Sequence, residues 1–159
     1  MIEIIKKYPE MCADAVKIAE KVDIPDYKFD KIVFCGMGGS AIGGELLKDW
    51  ARDKIAVPVE VCREYSLPKY ADKSTLVFVV SYSGETEESL STFLDAVKRR
   101  CMIACISSGG ILQEFAEKLN IPHLLVPLGM APRASLPYLF MPLPILLEKI
   151  GLASQVASE

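Results

Sequence analysis

The feature that most constrains the fold is the run Thr75-Leu-Val-Phe-Val-Val-Ser81, which is apolar at consecutive positions. A strand with two apolar faces has to be covered on both sides, as the central strands of parallel sheets are. Further short apolar runs recur about 20 to 25 residues apart, a spacing typical of strands that alternate with helices. The runs that we predict as strands are residues 31–35, 57–63, 75–81, 102–107 and 124–128.

The segments between these runs carry apolar residues at helical spacing. They predict helices over residues 40–52, 86–100 and 111–119, and a last helix over 135–150 whose prolines should shift or kink its start. An amphipathic pattern over residues 8–22 predicts an N-terminal helix. The expected fold is α/β: a three-layer, doubly wound, flavodoxin-like sheet of five mostly parallel strands with this helix added.

The chain of 159 residues has the length of one domain, and its 51% of hydrophobic residues describes a chain that buries a core. We expect a single domain over residues 1–159. It divides into an N-terminal helical part (1–25), the sheet (26–152) and a frayed tail (153–159). We find no apolar stretch suited to crossing a bilayer and no signal peptide, so we expect a cytoplasmic protein without membrane contact.

Counts of particular residues exclude several kinds of chemistry. Five cysteines, an odd number lying mostly within apolar runs, suggest buried thiols in a reducing compartment. The net charge of −3 comes without a basic stripe, so nucleic acid is not an expected partner. The single histidine, His123, leaves almost nothing for a triad or a multi-histidine metal site, and we interpret it as an imidazole at a strand edge.

The first loop with unusual composition follows the first predicted strand and opens a helix: Cys35-Gly-Met-Gly-Gly-Ser-Ala-Ile-Gly-Gly44. Its glycines let backbone N–H groups approach a ligand, and the N-terminus of a helix favours an anion. Gly43 and Gly44 each cost a helix about 1 kcal/mol relative to alanine, which indicates close backbone packing or a ligand.

The second loop, Ser81-Tyr-Ser-Gly-Glu-Thr-Glu-Glu-Ser89, places hydroxyls around another helix N-terminus. Hydroxyls and backbone N–H groups together suit the exposed oxygens of a terminal phosphate better than they suit a diphosphate bridge. Ligands of open parallel sheets bind at the carboxyl ends of the strands, where both loops lie. The sequence therefore suggests one phosphate held in common by Gly38, Gly39 and Ser40 and by Ser81, Ser83 and Thr86.

Two other interpretations remain open at this point. In the first, Ser83 or Thr86 only caps its helix, and the neighbouring glutamates complement the helix dipole. In the second, Gly36-x-Gly38-x-x-Ala41 is a dinucleotide fingerprint, with Glu60 as the acid that binds the ribose about 20 residues on.

These motifs resemble a known family. The Gly-Gly-Ser loop followed by Ser-Tyr-Ser-Gly-Glu-Thr resembles the sugar isomerase (SIS) domain, which binds phosphosugars in isomerases, aminosugar synthases and regulators. A third segment, Ala131-Pro-Arg-Ala-Ser-Leu-Pro-Tyr-Leu-Phe140, is similar to the Pro-Arg-Ala segment of the bifunctional phosphoglucose/phosphomannose isomerases, mainly archaeal enzymes. The resemblance covers essentially the whole chain.

The resemblance implies an aldose–ketose isomerase of carbohydrate metabolism, in glycolysis and gluconeogenesis. It would interconvert glucose 6-phosphate or mannose 6-phosphate with fructose 6-phosphate as a homodimer, with no metal or nucleotide cofactor. The six residues of the two loops would contact phosphate and sugar. In the bifunctional isomerases two SIS domains lie in tandem and the base glutamate, a histidine and a lysine come from the second, so the isolated chain is expected to lack the base.

By the same resemblance Arg133 is the one catalytic candidate in this chain, because a guanidinium that keeps its proton can stabilise an enediolate. The alternative is a surface arginine paired with a carboxylate. Glu85 stands where the family commonly has asparagine, and Ser135 and Pro137 replace its usual alanine and glycine, which affects the backbone near Arg133. A sugar-phosphate-sensing module and a dinucleotide-binding oxidoreductase fragment are the alternative functions.

Overall fold

A computed structural model describes residues 2–154 and 156 of the chain. Within them, five parallel strands form one sheet in the order β2-β1-β3-β4-β5. The predicted α/β fold with five strands is confirmed, and all neighbouring strands are parallel. The strands are β1 Lys31–Cys35, β2 Val59–Cys62, β3 Thr75–Val80, β4 Met102–Ser107 and β5 His123–Leu125.

The helices follow the predicted pattern with two differences. A short helix precedes the predicted N-terminal one, and residues 135–150 form two helices because Pro142 has no N–H to continue the first. The helices are α1 Ile2–Lys6, α2 Tyr8–Glu20, α3 Gly39–Ala51, α4 Glu87–Lys98, α5 Gly110–Lys118, α6 Leu136–Phe140 and α7 Pro142–Lys149.

Helices cover both faces of the sheet, so the predicted three layers are present. All six residues of β3 are buried. Successive side chains of a strand point to opposite faces of the sheet, so alternate strand residues belong to different hydrophobic cores. One core combines strand residues such as Phe34 and Phe78 with α2, α3, α6 and α7, and the other combines residues such as Val33 and Val77 with α4 and α5.

The ends of the predicted elements differ by a few residues from those observed. The run at 57–63 gives only the four residues of β2, and β5 begins at His123 and ends before Val126 and Pro127. Within the predicted tail 153–159, Ala153 and Val156 pack against the core, while residues 155 and 157–159 lie outside the described part of the chain. Among the described residues no helix is long and apolar enough to span a membrane.

Gly43 and Gly44 lie inside α3, where glycine lowers helix stability. The structure shows the close backbone packing that these glycines predict. A Cβ at Gly44 would lie 2.4 Å from a ring carbon of the fully buried Phe34, and one at Gly43 would lie 2.8 Å from the carbonyl oxygen of Leu139. The glycines therefore let α3 approach both β1 and α6, which sets the position of the N-terminus of α3.

We predict that Gly44→Ala lowers the free energy of unfolding by about 1–3 kcal/mol, because overpacking against Phe34 outweighs the better helix propensity of alanine. Urea denaturation measures this change. The control Asp49→Ala, at an exposed position of the same helix, should change stability by less than about 0.5 kcal/mol. An unchanged or more stable Gly44→Ala chain would show that α3 does not pack this closely.

Candidate functional site

The order of the strands brings the two polar loops together. β1 and β3 are neighbours, with Cys35 opposite Val79 at their carboxyl ends, although β2 lies between them in sequence. The chain turns to opposite sides after these two strands, which is where open α/β sheets bind ligands. The β1–α3 loop and the β3–α4 loop thus leave the same edge of the sheet side by side.

The N-terminus of α3 has the features of an anion site. Gly38, with a φ of +52°, precedes the first helical residue, and the first turn contains no acidic side chain. The first N–H groups of a helix have no acceptor within it, and the helix dipole favours negative charge there. The loop therefore presents backbone donors at Gly38 and Gly39 without a competing carboxylate of its own helix.

The hydroxyls of the β3–α4 loop form a connected group. The Ser81 and Thr86 hydroxyl oxygens lie 2.9 Å apart, and the N–H of Gly84 donates to Ser81 Oγ at 3.1 Å. Ser83 Oγ accepts from the N–H of Glu85 at 3.2 Å. Thr86 precedes α4 but its side chain makes no capping hydrogen bond, so helix capping does not account for the Thr86 hydroxyl.

Exposure divides the predicted serine and threonine contacts into two pairs. Ser83 is exposed and Thr86 half-buried, so their hydroxyls are open to a ligand from solvent. Ser40 and Ser81 are buried, and Ser40 Oγ accepts the N–H of Tyr82 at 3.3 Å. Ser40 thus joins the two loops, whereas the Ser81 hydroxyl bonds within its own loop, and each hydroxyl keeps bonding capacity beyond the backbone N–H that it accepts.

The segment carrying Arg133 lies against the first loop. A Cβ at Gly39 would lie 3.5 Å from the carbonyl group of Pro132 and 3.6 Å from the nitrogen of Arg133. The buried Ser135 donates its hydroxyl to the Pro132 carbonyl at 2.7 Å, which holds the turn, and Pro137 is buried within α6. All three motifs therefore meet at one place.

The side chain of Arg133 is exposed, and it makes no hydrogen bond or ion pair with any residue in the described ranges. The alternative of a surface arginine paired with a carboxylate is therefore not what the structure shows. The backbone of Arg133 lies against the N-terminus of α3, so its unpaired side chain is attached where the helix dipole already favours an anion.

Tyr82, which the sequence reasoning did not single out, connects the remaining loops. Its hydroxyl donates to the carbonyl of Pro127 at 2.8 Å and accepts the N–H of Met130 at 3.0 Å. Its carbonyl accepts both the N–H of Ser108, at 2.9 Å, and the Ser108 hydroxyl, at 2.6 Å. The only sequence signal was its position between Ser81 and Ser83 in the hydroxyl-rich motif.

The Glu85 side chain makes a contact that holds two loops together. Its carboxylate accepts the N–H of Ile111 at 3.1 Å, in the first turn of α5. The backbone of the β3–α4 loop touches that of the β4–α5 loop here, because a Cβ on Gly84 would lie 1.9 Å from the carbonyl oxygen of Gly109. The Glu85 contact therefore ties the β3–α4 loop to the start of α5.

Two other residues considered from the sequence lie apart from this group. His123 begins the edge strand β5, where its Nε2 and the Ser107 hydroxyl are 2.7 Å apart and burial lowers its pKa. Glu60 lies on β2 and accepts a hydrogen bond from the Tyr70 hydroxyl. Both side chains are already engaged within the chain.

Comparison with characterised sequences supports the resemblance given by the motifs. No family model matches the chain. The chain is 44% identical over 158 residues to a bifunctional phosphoglucose/phosphomannose isomerase of Caldicellulosiruptor bescii, covering 98% of this chain and 47% of the relative. It thus spans about half the length of the curated relatives that it matches. These relatives include bacterial proteins, so the resemblance is wider than an archaeal group.

Solved structures show the same fold at lower identity. The C-terminal domain of glucosamine-fructose-6-phosphate aminotransferase from Francisella tularensis superimposes with a TM-score of 0.72 at 18% identity, covering 99% of this chain and 51% of that one. The Vibrio vulnificus NanR protein complexed with ManNAc-6P gives a TM-score of 0.64 at 18% identity, covering 93% and 61%. The predicted SIS fold is confirmed.

We predict that Tyr82→Phe destabilises the chain by about 1–3 kcal/mol, because the Pro127 carbonyl and the Met130 N–H lose their buried partner. Urea denaturation measures the loss, and hydrogen exchange should be faster at Met130. Tyr27→Phe, at an exposed tyrosine, is the matched control and should be neutral. Equal stability of the two variants would contradict the linking role of Tyr82.

Proposed function

We propose that this chain is the phosphosugar-binding SIS domain of an isomerase that interconverts glucose 6-phosphate or mannose 6-phosphate with fructose 6-phosphate. The observation that carries the proposal is the meeting of three motifs at one edge of the sheet: the N-terminus of α3, the hydroxyls of the β3–α4 loop and the unpaired Arg133. The similarity of nearly the whole chain to a bifunctional isomerase supports it.

The phosphate is proposed to lie between the first two loops. A phosphate monoester carries close to two negative charges at pH 7, and its oxygens need several donors. The backbone N–H groups of Gly38 and Gly39 supply donors together with the dipole of α3. Ser83 and Thr86 offer open hydroxyls, and the bond from the Tyr82 N–H to Ser40 brings the two loops close enough to share one ligand.

Arg133 is proposed to stabilise the reacting end of the sugar. Isomerisation moves a proton between C2 and C1 through an enediolate, so a cation near the developing oxyanion lowers the barrier. The backbone of Arg133 lies against the α3 N-terminus, and its guanidinium is unpaired within the described residues, so it can bind a sugar oxygen without first breaking an ion pair.

The base is proposed to come from outside these residues. Glu85 is bonded to the N–H of Ile111, and the single histidine is half-buried against Ser107. Since this chain spans about half of the relatives that it matches, a second SIS domain is the source that we propose for the base and the ring-opening group. In this division of work the present chain binds the phosphosugar and stabilises negative charge.

Assembly and location complete the proposal. A homodimer in the cytoplasm, working in glycolysis or gluconeogenesis, is what the family resemblance implies. Exposed Ile42 and Leu46 on α3 support an apolar contact with a partner surface. Most apolar residues of α6 and α7 are buried in this chain's own core, so α3 is the better candidate for such a contact.

Calorimetric titration with fructose 6-phosphate tests the binding proposal. Ser83→Ala removes a hydrogen bond to a charged phosphate, which is worth about 1.5–3 kcal/mol, so we expect affinity to fall about 10- to 100-fold. The Ser40→Ala, Ser83→Ala double variant should bind more weakly still. Ser91→Ala is the control, since its hydroxyl donates to the Tyr65 carbonyl away from the loops. Equal binding by wild type and double variant would refute the site.

The catalytic part of the proposal predicts that the 159 residues alone bind fructose 6-phosphate but do not isomerise it at a measurable rate. Coupled assays for glucose 6-phosphate and mannose 6-phosphate measure turnover. Binding without turnover is also what a sensing module would show, so the assay is repeated on a chain extended by a second SIS domain, which should be active. Robust turnover by the 159 residues would show that they contain a base.

A further inference from the structure

A pair of cysteines lies at the carboxyl ends of two neighbouring strands. Cys35 ends β1 and Cys62 ends β2, and the parallel register places them directly opposite each other. Neighbouring strands are about 4.8 Å apart, which lies inside the range of about 4.4–6.8 Å between the Cα atoms of disulfide-bonded cysteines. Both side chains belong to the same buried cluster on the α4 and α5 face.

The two thiols interact in the reduced chain. The Cys62 thiol donates to the Ser66 carbonyl at 3.3 Å. The proximity of Cys35 holds the pKa of Cys62 below its usual range despite burial, whereas the proximity of Cys62 and burial raise the pKa of Cys35. A thiolate is the reactive form in disulfide exchange, and a neighbouring thiol can then resolve the mixed disulfide.

Cys62 lines an open cavity of about 570 Å³, and 6% of its surface is exposed. The charged residues of the lining are Arg63 and Lys69 together with Glu45, Glu60 and Glu64, and Arg63 is paired with Glu45 at 2.7 Å. Cys35 does not line this cavity and is 1% exposed. The arrangement distinguishes an entry thiol from an inner thiol.

From these contacts we infer that Cys62 is a modification site for low-molecular-weight disulfides and that Cys35 is its resolving thiol. The Cys62 thiolate attacks one sulfur of the disulfide R–S–S–R and releases R–S⁻, leaving Cys62 bonded to the other R–S group. Cys35 then loses its proton to the released thiolate and attacks Cys62 Sγ, which expels the second R–S⁻. Two protein thiols are oxidised, and one R–S–S–R becomes two thiols once the second takes a proton from water.

The disulfide would close beside the glycine loop. Gly36 directly follows Cys35, and its N–H donates to the Cys62 carbonyl at 3.3 Å. The crosslink would therefore join β1 to β2 at the point where the β1–α3 loop begins. The inference rests on the thiol geometry and does not depend on the proposed isomerase function.

Excess glutathione disulfide tests the inference on the folded chain, with alkylation of remaining thiols and peptide mass mapping. Wild type should give a Cys35–Cys62 disulfide. Cys35→Ser should stop at a glutathione adduct on Cys62, and Cys62→Ser should leave Cys35 unmodified. Cys105→Ser, at a buried cysteine of the same core, should behave as wild type.

Iodoacetamide at pH 7 provides a second measurement on wild type, which needs no variant to fold. Cys62 should be alkylated about tenfold faster than the partly exposed Cys101, whose pKa burial raises to about 11. Slower alkylation of Cys62 would overturn the inference. The inference would also be overturned if glutathione disulfide modifies the urea-unfolded chain but gives neither a glutathione adduct on Cys62 nor a Cys35–Cys62 disulfide in the folded chain.

Discussion

Tyr82 is the residue on which the arrangement of the candidate site depends. Its N–H, carbonyl and hydroxyl reach Ser40 after β1, Ser108 after β4, and Pro127 and Met130 after β5. Each of these loops leaves the same edge of the sheet. A buried tyrosine that bonds through both its backbone and its side-chain hydroxyl fixes their relative positions at little entropic cost, since the side chain has two rotatable bonds.

Close backbone approach is the second constraint. Gly44 lets α3 lie on Phe34, and Gly84 lies against Gly109, both at distances that a side chain would prevent, while Gly39 lies in van der Waals contact range of the Pro132 carbonyl. These contacts bring a helix N-terminus, a group of hydroxyls and the segment carrying the unpaired Arg133 to one place. The buried Ser40 hydroxyl connects the loops, whereas the exposed hydroxyls and the arginine are left for a ligand. This separation of supporting and contacting groups is what makes phosphate binding the function that the site suits best.

The sequence was sufficient to predict the strands and most helices, because the spacing of apolar residues and the composition of loops are properties of short, continuous segments. Residues 75–80 were predicted as a strand covered on both faces and are buried throughout. The last helix was harder: Pro142 divides it in two, which local pattern indicated only as a kink. The links made by Tyr82, by Glu85 with Ile111, and by Cys35 with Cys62 join residues distant in sequence, so they follow from the sheet order and from no local signal. Phosphate contacts at the six loop residues remain predictions.

The central claim is that one phosphate is shared by the loops after β1 and β3. A crystal structure of the chain with fructose 6-phosphate tests it most directly. The account predicts phosphate oxygens within about 3.2 Å of the Ser83 hydroxyl and of a backbone nitrogen at Gly38 or Gly39, with Arg133 beside the sugar. A phosphate bound at another edge of the sheet, or held by the β3–α4 loop without the N-terminus of α3, would contradict it.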